Sequence, residues 1–133
     1  MSQIKIALLD MNNNQPNQGM KNITELSNDF KQNSEHDVSI TIFDVRSKND
    51  VPNVSDFDIF ISSGGPGNPH REGLEWETKF AQLLDDVWKY NLKERAKKYM
   101  FLVCHSFQLA CIHWNLATVN QRKSYSFGVM PIH

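Results

Sequence analysis

Apolar residues fall into short blocks along this chain, and the period inside each block names an element. Ile4–Leu9 is broken only by Lys5. Such a run reads as a buried strand. Asp10 to Gly19 is polar, with Asn12, Asn13, Asn14, Pro16 and Gly19, and predicts a loop. Met20, Ile23, Leu26 and Phe30 then recur at helical spacing. Val38, Ile40 and Ile42 alternate with Ser39 and Thr41 and predict a second strand near residues 38–43; Phe57–Ile61 predicts a third. Ser62–Pro69, SSGGPGNP, is a loop by composition. After it, Trp76, Phe80, Leu83, Leu84, Val87 and Trp88 line one face of a helix. Glu72 and Glu75 in its first turn and Lys89 and Lys93 at its far end suit the helix dipole. Tyr99–Val103 is a fourth strand that runs directly into Cys104, and Ser106–Trp114 reads as a mostly apolar helix. Beyond it, Ala117–Val119 and Phe127–Ile132 are expected as short strands separated by the polar stretch Gln121–Ser126.

Apolar strands alternating with helices imply a mostly parallel sheet covered on both faces, here a flavodoxin-like three-layer α/β sandwich. The 133 residues suit one domain, and 40% hydrophobic residues suffice for a core. Net charge is -1, from 14 basic and 15 acidic residues without long runs, so no electrostatic case exists for nucleic acid or membrane binding. The start, MSQIKIALLD, has no signal-peptide pattern, and no stretch approaches the roughly 18 apolar residues of a membrane helix. Cys104 and Cys111 share one apolar segment and suggest no disulfide framework, which fits a reducing, cytoplasmic setting. Neither cysteine pairs with a histidine at metal-ligand spacing, so no metal site is expected, and no cofactor.

In open α/β sheets, sites form beyond the carboxyl ends of the strands. Cys104 is at such an end. It closes a strand and opens a helix, the setting of a nucleophile elbow, and the helix N-terminus beside it favours the reactive thiolate. The loop Ser62–Pro69 follows another strand end. Its three glycines and two prolines make a constrained turn whose backbone approaches a ligand closely. Acyl transfer needs N–H donors aimed at a developing oxyanion, and Gly65 and His105, the residue after the cysteine, are the candidates. Such a loop is about as often an ordinary strand-to-helix connection. Cys111 reads as a small buried hydrophobe.

Together, FLVCHSFQLAC (Phe101–Cys111) and SSGGPGNP resemble the G-x-C-x-G-x-Q nucleophile segment and the glycine-rich oxyanion loop of class I glutamine amidotransferases, GMP synthase-like members among them. The resemblance runs over about residues 4–132, with order and separation matching. It implies that Cys104 attacks the side-chain amide of glutamine. Gly65 and His105 would supply the oxyanion hole, and Gln108, Gly64 and Gly67 would line the substrate. Ammonia would pass to a synthetase domain or subunit.

The sequence departs from the pattern at Leu102 and Ser106, where the motif has glycines. The family's base is a histidine of an H-x-E motif much later in the chain, and no such triplet follows Cys104. The chain is therefore expected to be the N-terminal part of such a domain, truncated at its C-terminus, with apolar surface left uncovered. A second reading is a cysteine hydrolase or chaperone like the DJ-1/PfpI family, with Asp10 as its acidic partner. A third is a non-catalytic binding or regulatory domain that keeps the fold.

Overall fold

The strand β1, Gln3–Asp10, alternates strictly at its core: Ile4, Ile6 and Leu8 face one side, Ala7 and Leu9 the other. Both sets are covered because β1 is an inner strand. The computed structural model describes residues 2–125, 129 and 131–132. Around β1 stand β2 (Asp37–Asp44), β3 (Ile59–Ser62) and β4 (Tyr99–Leu102), in the order β2-β1-β3-β4. All three pairings are parallel, and the register aligns Leu9 with Phe43 and with Ser62, and Ser62 with Leu102. The four strands expected before Cys104 are thus present, shifted by a residue or two at their ends.

The helices are α1 (Gln18–Asn33), α2 (Val45–Lys48), α3 (Glu75–Lys93) and α4 (His105–His113). The chain leaves β1 toward β2 in one direction and β3 toward β4 in the other. Right-handed crossovers then place α1 and α3 on opposite faces of the sheet. Met20 and Ile23 of α1 accordingly pack on Ile6, Leu8 and Val38, while Trp76, Phe80, Leu83, Leu84 and Val87 of α3 pack on Ala7, Leu9 and Phe60. Leu109 and Ala110 place α4 on the α3 face as well. The result is three layers: α1, the sheet, and α2 to α4, a flavodoxin-like α/β arrangement.

Local chemistry sets the helix ends. Asn17 caps α1 by accepting from the N–H groups of Gly19 and Met20. The loop before it turns through Asn13 and Asn14, both at positive φ, with the Gln15 N–H donating to Asn12 O at 3.0 Å. Two successive left-handed residues make a tight turn that asparagine tolerates. Glu72 lies before α3 rather than in its first turn; its N–H donates to the buried Glu77 carboxylate, at 3.1 Å from each oxygen. α2 and a 3-10 turn at Val54–Asp56 had no signal in the apolar period, being too short for one.

Burial departs from the periodic pattern in three places. Leu26 and Phe30 of α1 and Trp88 of α3 are exposed, although they share the spacing of their buried neighbours. Ala117–Val119 forms no strand, and the expected strand Phe127–Ile132 falls largely outside the described residues. The edge strand β4 carries uncovered apolar side chains on both faces. Tyr99 and Phe101 are 66% and 65% exposed, and on the other side Val87, Trp88, Leu92, Met100, Leu102 and Trp114 line an open groove. No helix among the described residues is long and apolar enough to cross a membrane.

Candidate functional site

Because every strand runs the same way, the residues that follow β1, β2, β3 and β4 meet at one edge. Cys104 stands there as the N-cap of α4, with φ 50° and ψ -107°. A non-glycine residue at positive φ costs of order 1–3 kcal/mol and persists only where its surroundings hold it. This is the strained strand-to-helix turn expected of an elbow. Cys104 is exposed, whereas Cys111, inside α4, is 4% exposed. His105 opens α4, so its N–H has no acceptor within the helix. Gln108 lies one turn on, its N–H donating to Cys104 O at 3.0 Å, and so shares the helix face of Cys104.

The glycine loop leans directly on the elbow. A Cβ placed on Gly64 would lie 3.2 Å from Cys104 Cβ and 4.0 Å from its Sγ. With a hydrogen at that position the backbone comes this near the thiol without crowding it. Gly65 presses instead on the loop after β1: its Cβ would fall 1.9 Å from Met11 O. Gly67 has φ 117°, open only to glycine at low cost.

A buried polar network joins these segments. Ser63 Oγ accepts from the Met11 N–H at 2.9 Å and from Asn12 Nδ2 at 3.3 Å. Ser106, one of the two departures from the amidotransferase pattern, is fully buried. Its hydroxyl pairs with Ser62 Oγ at 2.6 Å and donates to the Ser63 carbonyl. The hydroxyl thus ties the elbow to the end of β3, a bond no glycine could make. Leu102, the other departure, packs with Met100 against the α3-face core, so its bulk is absorbed there.

Among the described residues, His36, His70 and His113 are committed elsewhere. His36 Nδ1 meets Ser2 Oγ at 2.8 Å, at the opposite edge of the sheet from Cys104. His113 Nε2 pairs with Asp85 at 2.9 Å, and the Trp114 ring N–H donates to the same oxygen at 3.2 Å. Burial pushes the Asp85 carboxyl up, but these two hydrogen bonds and the nearby charges of His113 and Lys89 outweigh it and hold it below its usual range. His70, Arg71 and Glu72 spell an H-x-E triplet, but before the cysteine. His70 Nε2 lies 3.2 Å from Val119 O, and Arg71 reaches His113. Asp10 Oδ1 accepts from both the Asn12 N–H and Asn12 Nδ2, at 2.9 and 3.0 Å, which turns that carboxylate into its own loop. Among the described residues no group of three His, Cys, Asp or Glu side chains is placed to hold a metal ion.

His105 is a special case. Its ring is 2% exposed and tilts against Trp76 with centroids 6.3 Å apart. Among the described residues neither nitrogen finds a well-formed hydrogen bond. Burial therefore pushes its pKa below the usual 6.5. The Asn68 backbone opposes this, the Arg46 cation reinforces it, and Glu77 and Glu72 pull weakly upward. The folded state holds His105 neutral where the unfolded chain takes up a proton, so stability falls as pH drops below about 6.5. Urea melts at pH 7.5 and 5.5 test this: wild type is expected to lose stability at the lower pH, and His105→Phe to lose measurably less. Equal losses would show that His105 contributes nothing to the acid limb.

Arg46, Asn12 and Trp76 escaped the motif reading. Arg46 had one signal: it lies just past the end of β2, at the same edge as Cys104. Comparison with known proteins matches no family model, no curated protein and no solved structure.

Proposed function

We propose that this chain carries the glutamine-binding, nucleophile-bearing part of a class I glutamine amidotransferase, as its two motifs suggest. The observation that carries the reading is the elbow at Cys104: an exposed thiol at positive φ, capping a helix, with Gly64 pressed against it. In the proposed reaction the Cys104 thiolate adds to the side-chain amide carbon of glutamine. The carbonyl electron pair moves onto oxygen, where N–H donors of the glycine loop and of His105 stabilise it. Collapse breaks the C–N bond, and the nitrogen takes a proton and leaves as ammonia. Water then cleaves the thioester to glutamate and frees the thiol. The leaving nitrogen needs a proton donor. The reading calls for a histidine–glutamate pair as that donor, and the described residues place none beside Cys104.

The chloromethyl ketone analogue of glutamine tests the proposal on this chain as it stands. The thiolate adds to the ketone carbonyl, whose oxygen takes up the electron pair as an oxyanion, and the sulfur then displaces chloride from the methylene carbon as the carbonyl re-forms, leaving a thioether. Peptide mapping is expected to find the label on Cys104 alone, with free glutamine slowing its appearance. Labelling that glutamine does not slow, or that favours Cys111, would remove the substrate and leave only the elbow.

A further inference from the structure

We infer that Arg46 is a positioning residue of the Cys104 site: its guanidinium fixes the orientation of the Pro66–Gly67 peptide and with it the shape of the glycine loop. The inference rests on the reading of Ser62–Pro69 as the oxyanion loop. Arg46 is carried by α2, whose first residue, Val45, is fully buried in the α3-face core, so the side chain starts from a fixed point. Its Nη1 donates to two main-chain carbonyls from different loops, Pro66 O of the glycine loop and Met11 O, at 3.4 Å, of the loop after β1. The guanidinium carbon Cζ lies over the Trp76 ring, 4.9 Å from its centroid, and Trp76 is 5% exposed. One side chain thus joins the ends of β1 and β3 to the first turn of α3.

A carbonyl held in place fixes more than itself. The peptide unit is planar and trans, so the Gly67 N–H points away from the Pro66 oxygen. With the Pro66 oxygen turned to Arg46, the Gly67 N–H is turned from it. The described hydrogen bonds within the loop go to the Gly64 carbonyl and to Asn68 Oδ1, not to the Pro66 carbonyl. Gly67 has no Cβ and sits at φ 117°, where glycine lets an adjoining peptide turn over easily. The restraint has to come from outside, and Arg46 supplies it. The second carbonyl makes the hold tighter, because Met11 O is also the atom against which Gly65 is pressed.

Arginine suits this task for a geometric reason. Its donors are fixed in one plane, and the same plane stacks on an aromatic face. Lysine keeps the charge but supplies neither the fork nor the stack. The Arg46 Nε–H is buried with no partner among the described residues, so the hold on the two carbonyls comes from Nη1.

The test compares wild type with Arg46→Met and Arg46→Lys, using two reagents at Cys104 and amide hydrogen exchange on the loop. Iodoacetamide alkylates a thiol by direct displacement and needs no oxyanion donors. The glutamine chloromethyl ketone passes its carbonyl oxygen through the oxyanion position. In Arg46→Met the rate with the ketone is expected to fall about a hundredfold, as for a misplaced catalytic group. The iodoacetamide rate should stay within about twofold, since Cys104 remains an exposed helix cap. Exchange of the Ser63 amide, which donates to Leu9 O at 3.0 Å and ties the start of the loop to the end of β1, should quicken about tenfold or more relative to amides inside β1. Arg46→Lys should fall between wild type and Arg46→Met on both loop readouts, and it serves alone if the methionine variant does not fold. Unchanged Ser63 exchange in a folded variant overturns the proposal. So does an equal loss with both reagents, which marks a merely structural role. A wild-type protein that the ketone does not label overturns the glutaminase reading instead, and the exchange data then still decide whether Arg46 holds the loop.

Discussion

Iodoacetamide at neutral pH is expected to alkylate Cys104 at least a hundredfold faster than Cys111 in the native protein. The two thiols sit seven positions apart on one stretch of chain, so concentration, buffer and global stability cancel. Their surroundings do not. Cys104 is exposed at the N-terminus of α4, where a reagent reaches its sulfur directly. Cys111 is 4% exposed on the same helix, between Ala110 of the α3-face core and Ile112. It reacts only when α4 opens. A local opening that costs about 3 kcal/mol divides its rate by roughly 150. Mass spectrometry of tryptic peptides over time measures both rates in one tube. In strong denaturant the difference should shrink to a few-fold, which attributes it to the fold. Comparable native rates would show that the elbow does not present its sulfur, and the nucleophile assignment would fall with it.

The glycine loop carries the second large effect, and neighbouring positions should respond differently. Gly65→Ala would set a methyl group 1.9 Å from Met11 O and 2.8 Å from Met11 C. Both are main-chain atoms and cannot swing aside, so one of the two loops must move by roughly an ångström. A loss of about 3 kcal/mol in folding stability is expected, the range of severe overpacking. Gly64→Ala meets Cys104 Cβ at 3.2 Å, a tight contact relieved by a shift of a few tenths of an ångström. It should cost under about 1 kcal/mol. Its new methyl would stand 4.0 Å from Sγ, so it should slow alkylation of Cys104 where a distant mutation would not. Urea melts and alkylation rates of the two variants separate the roles. If Gly65→Ala is as stable as wild type, the loop does not press on Met11. If Gly64→Ala leaves the thiol untouched, the loop does not border it.

The sequence alone determined the elements that repeat a period over many residues. An inner strand is apolar on both faces and a long helix has an apolar stripe, so β1, β2, α1 and α3 were legible, and the parallel sheet followed from their alternation. It also located Cys104 at a strand end before a helix, because that placement is a matter of chain order. Tertiary structure decided what depends on neighbours distant in sequence. Leu26, Phe30 and Trp88 keep the helical spacing yet lie exposed, since among the described residues α1 alone covers its face of the sheet and α4 is short. Serine at position 106 looked like a defect in a glycine pattern until β3 brought Ser62 within 2.6 Å of it. Gly64 and Gly65 are alike in sequence, and only the approach of Cys104 to one and of Met11 to the other tells them apart. Arg46 shows no period and belongs to no motif. Its meaning arises because parallel strands deliver the loops after β1 and β3 to its guanidinium, a meeting of carbonyls 35 and 20 residues away that no local pattern records.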